Sequence, residues 1–191
     1  MKIKKSQSAG RQGFTLVELL IVIAVLGILA VVVLIAINPV EQFRRTRDAG
    51  RASTVAQLGH ALEAFAAARN GVYPTDSAVA TDTCTDTTAP FAYNSSPSWI
   101  TECLVDAGEI QIVPAAPVGS QNCPAGADQN DWCLDADGGA AVVYTEAEAL
   151  TNTQQCGTET AYFAYNTSEG RGGLWCDNNQ PVVNETGQFI N

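Results

Sequence analysis

The residues best placed to do chemistry in this chain stand near its N-terminus. Glu18 is the only charged residue between Phe14 and Ile37, a run of 24 residues whose only other polar side chain is Thr15. A carboxylate inside an apolar span is costly and is normally paired. The nearest cations are Arg11 and the lysines Lys2, Lys4 and Lys5. Either Glu18 lies near an interface and reaches water, or it awaits a positive partner supplied by cleavage or by another subunit. A second set is the six cysteines, Cys84, Cys103, Cys123, Cys133, Cys156 and Cys176, all beyond the apolar run. An even count in an exported domain reads as disulfides. Zinc is the weaker reading, because no Cys-x-x-Cys pair exists and His60 is the only histidine. A third set is Asp128, Asp131, Asp135 and Asp137 ahead of Gly138-Gly139. Asp-x-Asp-Gly at a turn can present oxygens to calcium. The spacing is not that of an EF-hand, and a solvated acidic hairpin is the simpler reading. Asp135 and Asp137 are the candidate calcium ligands, and no other cofactor is implied. No nucleophile–base set, nucleotide loop or zinc-spaced cluster appears, so no enzyme is expected.

These residues need elements to position them. At about 1.5 Å per residue, Phe14 to Ile37 is a rod of roughly 36 Å, enough to cross a bilayer. It is too long for the apolar core of a cleaved secretory signal. Residues 38–70 continue as an amphipathic helix, with Val55, Leu58, Leu62 and Phe65 recurring at three and four residues beside Ala61 and Ala68. Asn38-Pro39 is the one interruption, where the helix kinks or a new one starts. Asn70-Gly71 and Pro74 mark its end. The rod from Phe14 to Asn70 is roughly 85 Å at the standard rise.

The charge is divided. Net charge is −10, but without residues 1–13 six basic residues stand against twenty acids, a balance of −14. The basic leader fits retention of the N-terminus in the cytoplasm, with the rest facing outward. The acidic outer part does not suit nucleic acid, whose phosphates require lysine and arginine. Arg44, Arg45, Arg47 and Arg51 would pair with acids of adjacent subunits in preference to gripping lipid headgroups.

Gly13-Phe14-Thr15-Leu16-Val17-Glu18 after a Lys-rich leader closely resembles the class III signal of type IV pilins and type II secretion pseudopilins. Asn70-Gly71-Val72-Tyr73-Pro74 resembles the end of their long helix. The stretch from Trp99 through Gly108 to Pro117 is similar to a segment of the major pseudopilin, with Ala116 where that family has Asp. Their stem proline also comes a turn earlier than Pro39, at the place of Ile35 here. The resemblance implies that a prepilin peptidase cuts between Gly13 and Phe14 and methylates Phe14. It implies that Glu18 then meets the new ammonium of a neighbouring subunit, fixing register. It implies as partners the peptidase, copies of the chain and other pilins, an inner-membrane assembly platform, and the bilayer before assembly.

Beyond the helix, Cys84–Ser96 aligns without gaps on Cys156–Ser168, identical at 8 of 13 positions at an offset of 72. Phe91-x-Tyr93 and Phe163-x-Tyr165 read as strands with an aromatic face. A duplicated hairpin and chance are both open. A tryptophan and then a cysteine follow each copy, and Trp132-Cys133 repeats that half. The pattern favours the local pairings Cys84–Cys103, Cys123–Cys133 and Cys156–Cys176 among those six cysteines allow. Residues 140–144 read as a strand after a turn at Asp137-Gly138-Gly139, residues 146–150 as one helical turn, and Val182-Val183 and Phe189-Ile190 as edge anchors.

The expected fold is α+β: a leader over 1–13, a transmembrane and polymerisation helix over 14–37, an amphipathic stem over 38–70, and a small disulfide-stabilised antiparallel β head over 71–191. The expected function is a filament subunit, membrane-stored and then extracellular or in a periplasmic-type filament. The rival is a single-pass anchored adhesin or sensor head that never polymerises.

Overall fold

The computed structural model describes residues 13–76, 84, 92–93, 99–115, 123, 128–129, 132–183 and 189–190. Arg11, Phe91, Asn94, Ala116, Pro117, Asp131 and the leader before Gly13 lie outside the described residues. The chain forms two units, Met1–Val40 and Glu41–Asn191.

The first unit holds helix α1, Leu16–Ala36, none of whose residues is buried within the protein. It is the one helix among the described residues long and apolar enough to cross a membrane. The amide of Ile37 closes it on the Val33 carbonyl at 3.1 Å, while Ile37 itself is extended (φ −101°, ψ 110°). Helix α2, Pro39–Ala68, then starts afresh. Asn38, before a proline, is steered away from helical backbone, and Pro39 sits at a first helical position that needs no donor. The interruption is therefore a new start and not a kink in one rod.

In the second unit α2 buries Val55, Leu58, Ala61, Leu62, Phe65 and Ala66, whereas Ala68 is exposed. Ala66 lies four residues after Leu62 on the buried face, whereas Ala68 falls in the last, exposed turn. Past Ala68 the backbone turns left-handed at Asn70 (φ 56°) and Gly71 (φ 85°), and the Gly71 amide bonds the Ala66 carbonyl at 2.8 Å. This is the glycine-type stop that Asn-Gly signals.

The head is built on a six-stranded antiparallel sheet in chain order: β3 (Asp128–Gln129), β4 (Trp132–Ala136), β5 (Ala141–Glu146), β6 (Thr160–Asn166), β7 (Arg171–Asp177) and β8 (Phe189–Ile190). Strands β1 (Thr75–Asp76) and β2 (Ala92–Tyr93) form a separate parallel pair. Alternation along the strands splits the sheet's side chains between two cores. Leu134, Val143 and Tyr165 pack with the α2 face, Trp99, Ile100 and Leu104. Cys133, Val142, Tyr144, Tyr162 and Trp175 pack with Val183 and Phe189. Trp99 stands just before a short π-helical turn, Ile100–Val105, and its indole N–H donates to the Trp132 carbonyl at 3.1 Å. Disulfides join Cys84 to Cys103, Cys123 to Cys133 and Cys156 to Cys176. Each closes a short loop, and Cys84–Cys103 is itself part of the main core.

Two expectations are corrected, and the described parts of the sequence echo differ in setting: β6 lies between β5 and β7 in the large sheet, while β2 is a two-residue parallel partner of β1. The first copy has Pro90 where β6 has Tyr162, and proline cannot donate to a ladder. Glu146 ends β5, and the helix that follows is α3, Leu150–Gln155. Of the edge anchors, Phe189-Ile190 pairs with β7, whereas Val183 is buried without being a strand.

Gly59 fixes how closely α2 lies on β6. A Cβ there would meet Tyr165 Cδ1 at 2.2 Å and Cγ at 2.3 Å. The obstacle is the base of a ring gripped from its other side by Gly172, where a Cβ would meet Cδ2 at 2.9 Å. Gly59→Ala is expected to destabilise the head by about 3 kcal/mol, the upper end of ordinary overpacking. Urea unfolding of the detergent-solubilised protein, followed by tryptophan fluorescence, measures this. A loss below about 1 kcal/mol would mean that α2 can lift off the sheet without penalty.

Candidate functional site

The N-terminal segment is organised around a reciprocal pair. Gly13, Phe14 and Thr15 precede the helix, and Thr15 is extended (φ −83°, ψ 152°). The Thr15 hydroxyl oxygen accepts the Glu18 amide at 3.2 Å. The Glu18 carboxylate in turn accepts the Thr15 amide and the Thr15 hydroxyl, each at 2.8 Å. This is a capping box, which satisfies donors that a helix start otherwise leaves open. Thr-x-x-Glu before an apolar run is its sequence signature, and Thr15-Leu16-Val17-Glu18 carries it. Sequence reasoning that fixed on the charge of Glu18 passed over it. The acid is thus hydrogen-bonded within its own chain, through Thr15. Phe14 is 89% exposed, and a Cβ built on Gly13 meets nothing within 4 Å.

The arginines after the apolar helix have partners closer than adjacent subunits. Arg51 is buried and bonds Asp48 at 2.9 Å as well as Glu148. Arg47 pairs with Glu148, and Arg45 with Glu41. The expectation that this cluster pairs with acids of neighbours is corrected for these three, whose acids lie in the same chain. Asp48 also accepts the amides of Glu148 (3.0 Å) and Ala149 (2.8 Å) and the Asn152 side-chain amide (2.7 Å). Asp48, Arg51, Val55, Leu58, Leu62 and Phe65 form one three–four stripe. Charges continuing an apolar stripe were the signal available for this buried cluster.

An Asp135 oxygen accepts the Val183 amide at 2.9 Å, and an Asp137 oxygen accepts the Gly139 and Ala140 amides at 2.9 Å each. Both carboxylates serve the chain's own backbone, Asp137 by closing the β4–β5 turn. Among the described residues no group of three or more His, Cys, Asp or Glu side chains comes together to hold an ion.

His60 stands on α2 at the edge of a groove of about 350 Å³ lined by Phe163, Tyr165, Arg171 and Gly172 among others. The Tyr165 hydroxyl donates to Glu63 at 2.8 Å and lies 3.3 Å from His60 Nδ1. Burial, and then the Glu63 bond and charge, push the Tyr165 phenol up to about 12. A raised phenol binds its proton more tightly in the fold than in the unfolded chain. Its contribution is complete below pH 10 and is lost as pH rises toward 12. Tyr165→Phe is expected to flatten the fall in stability over that window, measured by denaturation midpoints from pH 9 to 12. An unchanged slope would place the alkaline sensitivity elsewhere.

The chain thus combines an N-terminal apolar helix, whose sole acid lies in a capping box beside a glycine–phenylalanine bond, with a disulfide-bonded α+β unit. Residues 8–34 match the family model described as the prokaryotic N-terminal methylation motif. The chain carries that motif on its N-terminal apolar helix, consistent with a type IV pilin-like prepilin. No curated protein and no solved structure matches the chain.

Proposed function

We propose that this chain is a prepilin, the structural subunit of a type IV pilus-like filament. It is stored in the membrane through α1 with its head outside the cytoplasm. A prepilin peptidase cuts between Gly13 and Phe14 and methylates the new terminus. The subunit then joins copies of itself and other pilins on an inner-membrane assembly platform. Glu18 sets register by meeting the Phe14 ammonium of a neighbour. The observation that carries this reading is the methylation motif on an apolar helix none of whose residues is buried among the described residues. Support comes also from Gly13, which stands exposed in non-helical backbone just ahead of the helix.

Mass spectrometry of material sheared from the surface of expressing cells tests the proposal. The expected mature chain starts at N-methyl Phe14 and retains three disulfides. Intact chain starting at Met1, found only in membranes, would overturn it.

A further inference from the structure

We propose that the Thr15–Glu18 capping box is a processing device: it stops α1 at Leu16 and so keeps the Gly13–Phe14 peptide bond outside the helix, open to the peptidase. The inference rests on the reading that this bond is the one cut. Two observations lead to it. The box is complete, with bonds of 2.8 Å and 3.2 Å running in both directions between Thr15 and Glu18. The bond in question ends one residue before the cap, at an exposed Phe14 in non-helical backbone.

A helix start leaves its first amides without carbonyl partners. In water, solvent takes them. At the edge of a bilayer there is little water, and unsatisfied amides favour more helix upstream, where each added residue supplies a carbonyl. One such turn would carry Phe14 and Gly13 into the helix. The Gly13 carbonyl would then accept the Val17 amide and lie along the helix wall. Hydrolysis needs the opposite. Water must add to the Gly13 carbonyl carbon, the bond to the Phe14 nitrogen must break, and that nitrogen must leave with a proton as the new amine while Gly13 becomes a carboxylate. An exposed, non-helical bond leaves the carbonyl face and the leaving nitrogen accessible. The Thr15 hydroxyl and the Glu18 carboxylate give the Glu18 and Thr15 amides their acceptors, so growing backward would forfeit both bonds of the box. The cut also falls outside the box. Thr15 keeps its amide, the cap survives, and the Phe14 amine is released next to a helix end that has not moved.

Thr15 is therefore a positioning residue for processing, and its hydroxyl, not its bulk, matters. The test uses the full-length precursor in membranes with a prepilin peptidase, comparing initial cleavage rates of wild type, Thr15→Val and Thr15→Ser. Valine keeps the shape and loses the cap; serine keeps the cap and loses the methyl. Thr15→Val is expected to be cut about fivefold more slowly, the population shift a lost N-cap produces. Thr15→Ser is expected to stay within about twofold of wild type, since serine caps as well as threonine. Hydrogen exchange at the Val17 amide is expected to slow in Thr15→Val, because that amide gains the Gly13 carbonyl as its acceptor. Equal rates for valine and wild type would overturn the proposal. Equal slowing by serine would also overturn it, assigning the effect to recognition of the threonine methyl. Slowed cleavage with unchanged exchange would overturn it too. Wild type that is not cut after Gly13 would remove the prepilin reading itself, and this proposal with it.

Discussion

Glu18→Ala abolishes filaments, to below about a tenth of the wild-type yield, while the precursor stays in the membrane; that is the expected result, and the membrane half of it matters as much as the filament half. An acid within a spanning helix costs a few kcal/mol on insertion, so its removal improves anchoring if it changes it at all. Loss of filaments then cannot come from loss of the membrane pool. It must come from processing, through the lost capping box, or from assembly, where an apolar environment strengthens an opposite charge and penalises its absence. Glu18→Gln separates the two roles of this residue. Glutamine still closes a capping box but carries no charge. It is expected to lose filaments as alanine does, with α1 starting where it starts now. Immunoblots of sheared and membrane fractions read the outcome. Normal filaments and normal display in Glu18→Ala would favour the rival, an anchored binding head that never polymerises, with the groove beside His60 as its first candidate surface.

What could be read from residues alone divides according to the distance of the partner. The span of α1 was legible because an apolar run of this length has few other solutions. The buried face of α2 followed from three–four spacing, and the β5 strand from alternation after a Gly-Gly turn. In both cases the pattern lies within the element itself. The short disulfide loops were legible because tryptophan–cysteine spacing repeats locally. The echo between residues 84–96 and 156–168 left a duplicated hairpin and chance both open, because local similarity cannot say which strand lies alongside. β6 gains its seven residues from β5 on one side and β7 on the other. The first copy has a proline at the matching position and a short parallel neighbour instead.

The candidate site divides in the same way. Gly13, Phe14 and Glu18 stood out as a motif. The capping box between Thr15 and Glu18 was equally local, and was missed because the charge of Glu18 already seemed to call for a distant partner. The Asp48–Arg51–Glu148 cluster was not legible as a whole. Its third member lies about a hundred residues away, and only the fold brings it to α2. The arginines were assigned to neighbouring subunits because the cluster falls on the outer side of the apolar span, although Glu41 and Asp48 stand among them in the sequence.

Asp48→Ala is expected to cost the head about 3–5 kcal/mol, the range for breaking a buried charge pair from one side. Asp48 and Arg51 are each 2% exposed. Removing the carboxylate leaves the guanidinium buried with Glu148 as its remaining acid among the contacts described above. That acid is already engaged: burial pushes Glu148 up, but hydrogen bonds and charge from Arg51 and Arg47 outweigh it and hold its carboxyl below the ordinary range. The second loss falls on α3. Its N-cap, Ala149, has no side chain to offer, and the amides of Glu148 and Ala149 take their acceptor from Asp48 across the fold. The midpoint of thermal unfolding should fall on the order of 10 °C for a unit of this size. A paired substitution decides between the two losses. Asp48→Leu with Arg51→Met removes both buried charges, which by itself is often neutral or stabilising. If charge were the whole cost, the double variant would return to wild type. The geometry says that it recovers only in part, because the two amides at the start of α3 still lack an acceptor. Stability of Asp48→Ala within about 1 kcal/mol of wild type would mean that water or a rearranged Glu148 replaces the carboxylate, and that α2 and α3 are not held together by this residue.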